Sequence, residues 1–137
     1  MRIKFRLPLV WNVYFSFFIY AFSLGAIFPR LGDLQLQMGI GPAALGLSVT
    51  GAALGVQVSL LMSSSVLLWL GFRKVMFFGM LLMGIGEALA GLSTNPYVFF
   101  GWFFIAGLAI GVVEVAVNVE ADRVEALARR RIMNRSH

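Results

Sequence analysis

Between Asp33 and Arg73 the chain carries no formal charge. A helix crosses the hydrocarbon core of a bilayer with about 20 predominantly apolar residues, so this run holds one span and a connecting segment. A water-soluble domain of 137 residues exposes too much of its surface to hide such a stretch. Three further apolar segments accompany it, and the whole chain is 60% hydrophobic and 12% charged, with a mean hydropathy of +0.88. Lipid accepts apolar faces but offers backbone groups no hydrogen bonds, which restricts a spanning chain to helices or a closed barrel. Segments of this length predict an all-α integral membrane protein with four transmembrane helices.

The expected spans are 7–28, 43–70, 75–92 and 97–118, forming a membrane domain over 1–121 followed by a basic tail over 122–137. Pro29 follows the first span, a residue that helices rarely run through. Gly39-Ile40-Gly41-Pro42 marks the entry to the second, with Pro42 suited to a first turn. Gly71-Phe72-Arg73-Lys74 reads as a short basic turn, and Ser93-Thr94-Asn95-Pro96 as a compact one. Met1–Arg6 is a basic start of the kind that opens a signal peptide. The apolar stretch behind it is longer than the roughly 7–15 residues of a signal core, so it reads as a retained first span. In the tail, Glu125 precedes Arg129 by four residues, the favourable order for a helical ion pair.

Charge placement gives an orientation. With the N-terminus in the cytoplasm, the inner segments carry Arg2, Lys4, Arg6, Arg73, Lys74, Arg123, Arg129, Arg130, Arg131 and Arg135, while Arg30 alone lies outside. That bias places both termini in the cytoplasm of a cell whose inner membrane holds the chain. The net charge of +5 therefore suits an anionic leaflet, and nucleic acid is not an expected partner. No cysteine is present and the one histidine is His137, so thiol chemistry, disulfides and a histidine metal cluster are excluded. No nucleophile–base set or phosphate loop is found either. Neither enzymatic activity nor a cofactor is expected.

Two patterns address packing and function. Gly51-Ala-Ala-Leu-Gly55 and Gly107-Leu-Ala-Ile-Gly111 are small-xxx-small motifs that let helix backbones approach closely. Glu87 and Glu114 fall inside spans, where charge is costly and commonly serves an ion or solute pathway. Gly107, Gly111, Glu114, Asn118 and Asp122 share one face by their spacing. Asn12, Ser16, Tyr20 and Ser23 form a polar stripe in the first span, Thr50, Gln57 and Ser64 in the second, and Gly84, Glu87 and Gly91 group in the third. The pathway residues so indicated are Glu114, Asn118, Glu87, Asn12, Tyr20 and Gln57. A Glu that is protonated in one conformation and ionised in another would couple proton movement to transport.

The layout resembles the N-terminal part of a major facilitator superfamily transporter. The likeness rests on Phe28-Pro29-Arg30, on Gly39-Ile-Gly41-Pro42-Ala-Ala-Leu-Gly46, and on the Gly71, Arg73 and Lys74 turn. The fourth span, with Glu114 and Asn118, leads into Glu125, Arg130 and Ile132-Met-Asn-Arg-Ser-His137, and is similar to a bacterial branch related to sugar permeases. The resemblance implies the first third of a twelve-helix fold, in which inverted three-helix repeats build two halves around a central site. It also implies alternating-access transport of a small, sugar-like solute, alone or with a proton, and a cytoplasmic loop built on Gly71, Arg73, Lys74, Glu125 and Arg130. Ser64, Leu68 and Trp69 stand where the family's signature before that loop has a glycine, an acid and a base. Trp102 and Phe103 occupy the region where proton-coupled members often carry an arginine. The remaining helices, or oligomeric partners, would have to complete the cavity within the bilayer. The other readings are a self-standing four-helix exporter working as an oligomer and a non-transport scaffold subunit.

Overall fold

The computed structural model describes residues 7–128, and all regular structure in them is helical. Helix α1 spans Leu7–Ile27, a 3-10 turn follows at Phe28–Arg30, and α2 covers Leu31–Met38. Then come α3 (Pro42–Leu70), α4 (Phe72–Gly91) and α5 (Pro96–Ala128). Four helical stretches are long and apolar enough to cross a membrane, so the chain is an all-α membrane protein.

Each boundary has a local cause. The chain does not leave helical geometry at Pro29: the ring sits at the start of the 3-10 turn, where its missing N–H costs nothing, and α2 continues directly. α2 stops at Gly39, whose φ of 64° is left-handed. The Gly39 N–H reaches the Leu36 carbonyl at 3.1 Å and the Ile40 N–H reaches Gln35 at 3.2 Å, which together make a Schellman cap. Gly41 is extended and Pro42 opens α3. A single residue, Gly71, divides α3 from α4, with a φ of 77° that favours glycine. Phe72, Arg73 and Lys74 therefore belong to the first turn of α4 and not to a preceding loop. Asn95 caps α5, its Oδ1 accepting the Tyr97 N–H at 2.8 Å, with Pro96 at the first helical position. α5 runs unbroken through Asn118 to Ala128.

Helix α5 is the centre of the bundle. Its buried positions include Phe99, Phe103, Ala106, Ala109, Ile110, Val113, Ala116, Val117, Ala121 and Val124, which wrap around much of the helix. α3 lies on one side and α4 on another, each in extended contact with it, while α1 leans on it through Val13 and Phe17. Without a hydrophobic drive in lipid, such contacts depend on close packing. At α3–α5 the fit is backbone to backbone. A Cβ on Gly51 would lie 2.6 Å from the Phe100 carbonyl oxygen, one on Gly55 would overlap that of Phe104, and one on Gly107 that of Ala52. At α4–α5, Gly79 receives Val113 and Gly86 faces Ala106. The buried face of α3 is Ser48, Gly51, Gly55, Ser59 and Ser63. Its hydroxyls turn back onto their own helix, as where Ser63 donates to the Ser59 carbonyl at 2.6 Å.

Short α2 closes one end. Leu34 and Met38 insert against Ala90, Phe99 and Phe103, and the Gln37 amide donates to the Ser93 carbonyl at 2.9 Å. Outward-facing side chains are mostly large and apolar, among them Trp11, Phe15, Phe18 and Phe22 on α1 and Leu61, Leu68 and Trp69 on α3. A lipid environment accepts all of them.

Candidate functional site

Polar side chains gather at three depths along the bundle. Midway, Tyr20 of α1 faces Glu114 of α5, near enough for the carboxylate to act electrostatically on the tyrosine hydroxyl. Both are half-buried. Tyr20 is held there by packing against a cluster that contains Met83, Ala109 and Ile110. Glu114 follows the glycine stretch that brings α5 against α3, and Gly111 sits under Ser59, whose hydroxyl is bonded to the Val56 carbonyl at 2.9 Å. One turn further along α5, the Asn118 Oδ1 is buried and has no hydrogen-bond partner. A buried amide oxygen without a donor is costly. A hydroxyl or water placed beside it would satisfy it.

At the end where α1 begins, α4 begins and α5 finishes, a pocket of about 390 Å³ opens. Its polar rim is Asn12 and Ser16 from α1, Arg73 from α4, and Glu120 and Arg123 from α5. The Ser16 hydroxyl donates to the Asn12 carbonyl at 2.8 Å, and Arg123 pairs with Glu120 at 3.6 Å. At the opposite end, a pocket of about 240 Å³ lies between the close of α1 and the last turns of α4. Arg30 and Glu87 both face it, and Ala26, Gly84, Ala88 and Gly91 leave it room. The Arg30 guanidinium passes over Gly91, where a Cβ would stand 3.8 Å from Nη1. Among the described residues the Glu87 carboxylate has neither an ion pair nor a hydrogen bond.

The residues indicated by the sequence are thus distributed. Tyr20 and Glu114 are in contact and Asn118 is adjacent along α5. Asn12 lies toward the basic end with Arg73, and Glu87 toward the other. Gln57 is exposed, round the helix from the Ser48–Ser63 face, as are Thr50 and Ser64. Gly51, Gly55, Gly107 and Gly111 lie in the α3–α5 contact and Gly71 in the hinge between α3 and α4. Lys74 is exposed in the first turn of α4. Glu125 is half-buried near the end of α5, whereas Arg129, and the ion pair expected of it, and Arg130 lie outside the described residues. Sequence reasoning did not single out Arg30, Glu120 or Arg123 as neighbours of these groups. Arg30 sits just past the expected end of the first span, and nothing in linear spacing joins it to Glu87.

No family model matches the chain, and no solved structure does. Among curated proteins, an uncharacterized MFS-type transporter of Yersinia pestis is 24% identical over 122 residues, covering 89% of this chain and 32% of that protein. The chain thus spans about a third of the length of this relative.

Proposed function

We propose that this chain is the first part of a secondary transporter of the major facilitator type, moving a small hydroxyl-bearing solute across a cell's inner membrane by alternating access. The observation that carries the reading is the contact between Tyr20 of α1 and Glu114 of α5, next to the unpartnered oxygen of Asn118. A solute hydroxyl beside Asn118 would supply the missing donor, and the Glu114 carboxylate can accept a second. Sugar-like solutes present several such hydroxyls in a row. The relative from Yersinia pestis supports the transporter class.

In this reading both termini are cytoplasmic, following the basic bias of the N-terminus, the α3–α4 hinge and the region beyond Asp122. Glu114 serves as the group that takes up and releases a proton as solute moves, with Tyr20 positioning its carboxylate. Later helices of a longer polypeptide, or partner chains, complete the cavity.

Sequencing the coding DNA past the codon for His137 tests the framework. An open frame with about eight further apolar segments of spanning length is expected, and an immediate reproducible stop would overturn the reading as a part of a larger transporter. Within the longer protein, Glu114→Gln is expected to abolish the pH dependence of uptake. Unchanged dependence removes Glu114 from proton coupling. Reporter fusions at Asn95 and His137 test the orientation, and a periplasmic signal at His137 would reverse it.

A further inference from the structure

The basic end of the bundle carries a feature that the transport reading does not use. The pocket rimmed by Asn12, Ser16, Arg73, Glu120 and Arg123 does not end at the helix termini. It shares Asn12, Ser16, Phe72 and Arg73 with a second, larger groove of about 660 Å³ that runs on between α1 and α4. The walls of this groove are Phe15, Ile19, Met76, Phe77, Met80 and Leu81. It exists because α1 leans on α5 and touches α4 only sparsely, which leaves a furrow open along that side of the bundle.

We infer that this continuous furrow binds one anionic phospholipid, its phosphate at Arg73 and Arg123 and an acyl chain along the α1–α4 groove. Length agrees with this. From Arg73 to Leu81 is eight residues of helix, or about 12 Å at the usual rise, against about 15 Å for one leaflet of hydrocarbon. Charge agrees as well. Arg73 has no acidic partner among the described residues, and Arg123 is held by Glu120 at 3.6 Å with its side chain largely exposed. Two arginines and one glutamate leave a single positive charge at the rim, which matches the single negative charge of a phosphodiester such as phosphatidylglycerol. Arginine forks also suit phosphate oxygens geometrically. Asn12 lines the same rim and adds its side-chain amide as a further donor. Below, Met76 and Met80 present flexible thioethers that conform to a chain of variable shape. A free phosphate would use the rim and leave the groove empty, whereas a lipid uses both. The site stands independently of any transport activity.

The test is native mass spectrometry of the chain stripped of lipid in detergent and offered phosphatidylglycerol, phosphatidylethanolamine or inorganic phosphate. One phosphatidylglycerol is expected to remain bound in preference to either of the others. Arg73→Gln and Arg123→Gln should each lower its retention about fivefold, the effect of one basic side chain at an anionic surface. Lys74→Gln is the control, since Lys74 shares the first turn of α4 but lines neither pocket nor groove. Leu81→Trp, which fills the far end of the groove, should reduce lipid retention and leave inorganic phosphate unaffected. An equal loss in Lys74→Gln would mean diffuse attraction and overturn the site. So would equal retention of phosphatidylethanolamine, whose ammonium could address Glu120, or full retention in Leu81→Trp. A dimer that excludes lipid would assign the furrow to a second copy and overturn it too.

Discussion

Replacing Gly107 by alanine adds one methyl group where the backbones of α3 and α5 are in direct contact. Its Cβ would overlap the Ala52 carbonyl oxygen and stand 2.9 Å from the Ala52 carbonyl carbon and Cα. Comfortable carbon–carbon separations are about 3.5–4.0 Å, so α3 must retreat by roughly 0.6 Å or more. All three atoms are backbone, and no side-chain rotation relieves the overlap. A gap of ~0.5–1 Å forfeits a quarter to a half of each contact of ~0.1–0.2 kcal/mol. Over the order of 50–100 atom pairs in such an interface, that is about 3 kcal/mol. Alanine returns about 1 kcal/mol through its better helix propensity. The net cost is about 2 kcal/mol, inside the ~1–3 kcal/mol typical of overpacking. Gly55→Ala meets the Phe104 carbonyl in the same way and should cost as much. At Gly111 the nearest atom is the Ser59 hydroxyl, which can swing aside, so Gly111→Ala should cost less. At Gly101 and Gly84 nothing lies within 4 Å, and alanine there should be neutral or stabilising by up to about 1 kcal/mol. Reversible unfolding of the chain by SDS in mixed micelles, followed by circular dichroism, measures the series. If Gly107→Ala and Gly101→Ala unfold at the same SDS fraction, the backbone contact does not hold the two helices together.

Three further substitutions address the caps and the buried pair. Gly39→Ala places a Cβ at a φ of 64° and should cost about 1–2 kcal/mol, seen as faster amide hydrogen exchange throughout α2. Asn95→Ala removes the acceptor for the Tyr97 N–H and should cost about 1 kcal/mol, with exchange accelerated in the first turn of α5 but not in α3. Tyr20→Phe removes the hydroxyl that faces Glu114 and should destabilise the chain by about 1 kcal/mol in SDS unfolding. Tyr20→Phe in a Glu114→Leu background should then be nearly silent, because the hydroxyl has lost its partner.

The helices were legible in the sequence because their signals are local. Apolar runs, Pro42, Pro96, Gly39 and Gly71 place most of the boundaries within a few residues. Two features were not. Helicity persists through Pro29 because a proline at the start of a 3-10 turn loses no hydrogen bond, and a sequence rule about proline does not distinguish a helix interior from a fresh start. The α3–α4 hinge needs one residue instead of four because Gly71 alone makes the turn. The glycine pairs announced close packing, but partner choice is a property of three dimensions: Gly55 meets Phe104 and Gly107 meets Ala52. The polar groups follow the same rule. Glu114 and Glu87 look alike as single acids in apolar helices. They differ in what another part of the chain brings to them: Tyr20 from α1 in one case and Arg30 across a pocket in the other.

Exposure alone does not say which face of the bundle meets lipid, and α3 shows why. Its open side carries Leu54, Leu61 and Leu68, yet Thr50, Gln57 and Ser64 are exposed as well. Thr50 satisfies itself by donating to the Leu47 carbonyl at 2.6 Å. Gln57 lies at the middle of a 29-residue helix and makes no hydrogen bond among the described residues. An amide at that depth in hydrocarbon is costly, so its neighbour in a membrane is water or another polar group. The exposed stripe of α1, Trp11, Phe15, Phe18 and Phe22, has no such demand. The chain contains no cysteine, which makes the contrast directly measurable. In a bilayer, Gln57→Cys is expected to react with a water-soluble maleimide and Phe18→Cys to be protected, although both positions are exposed in the bundle. Equal protection of the two would place Gln57 against lipid or buried packing and remove any aqueous path along α3.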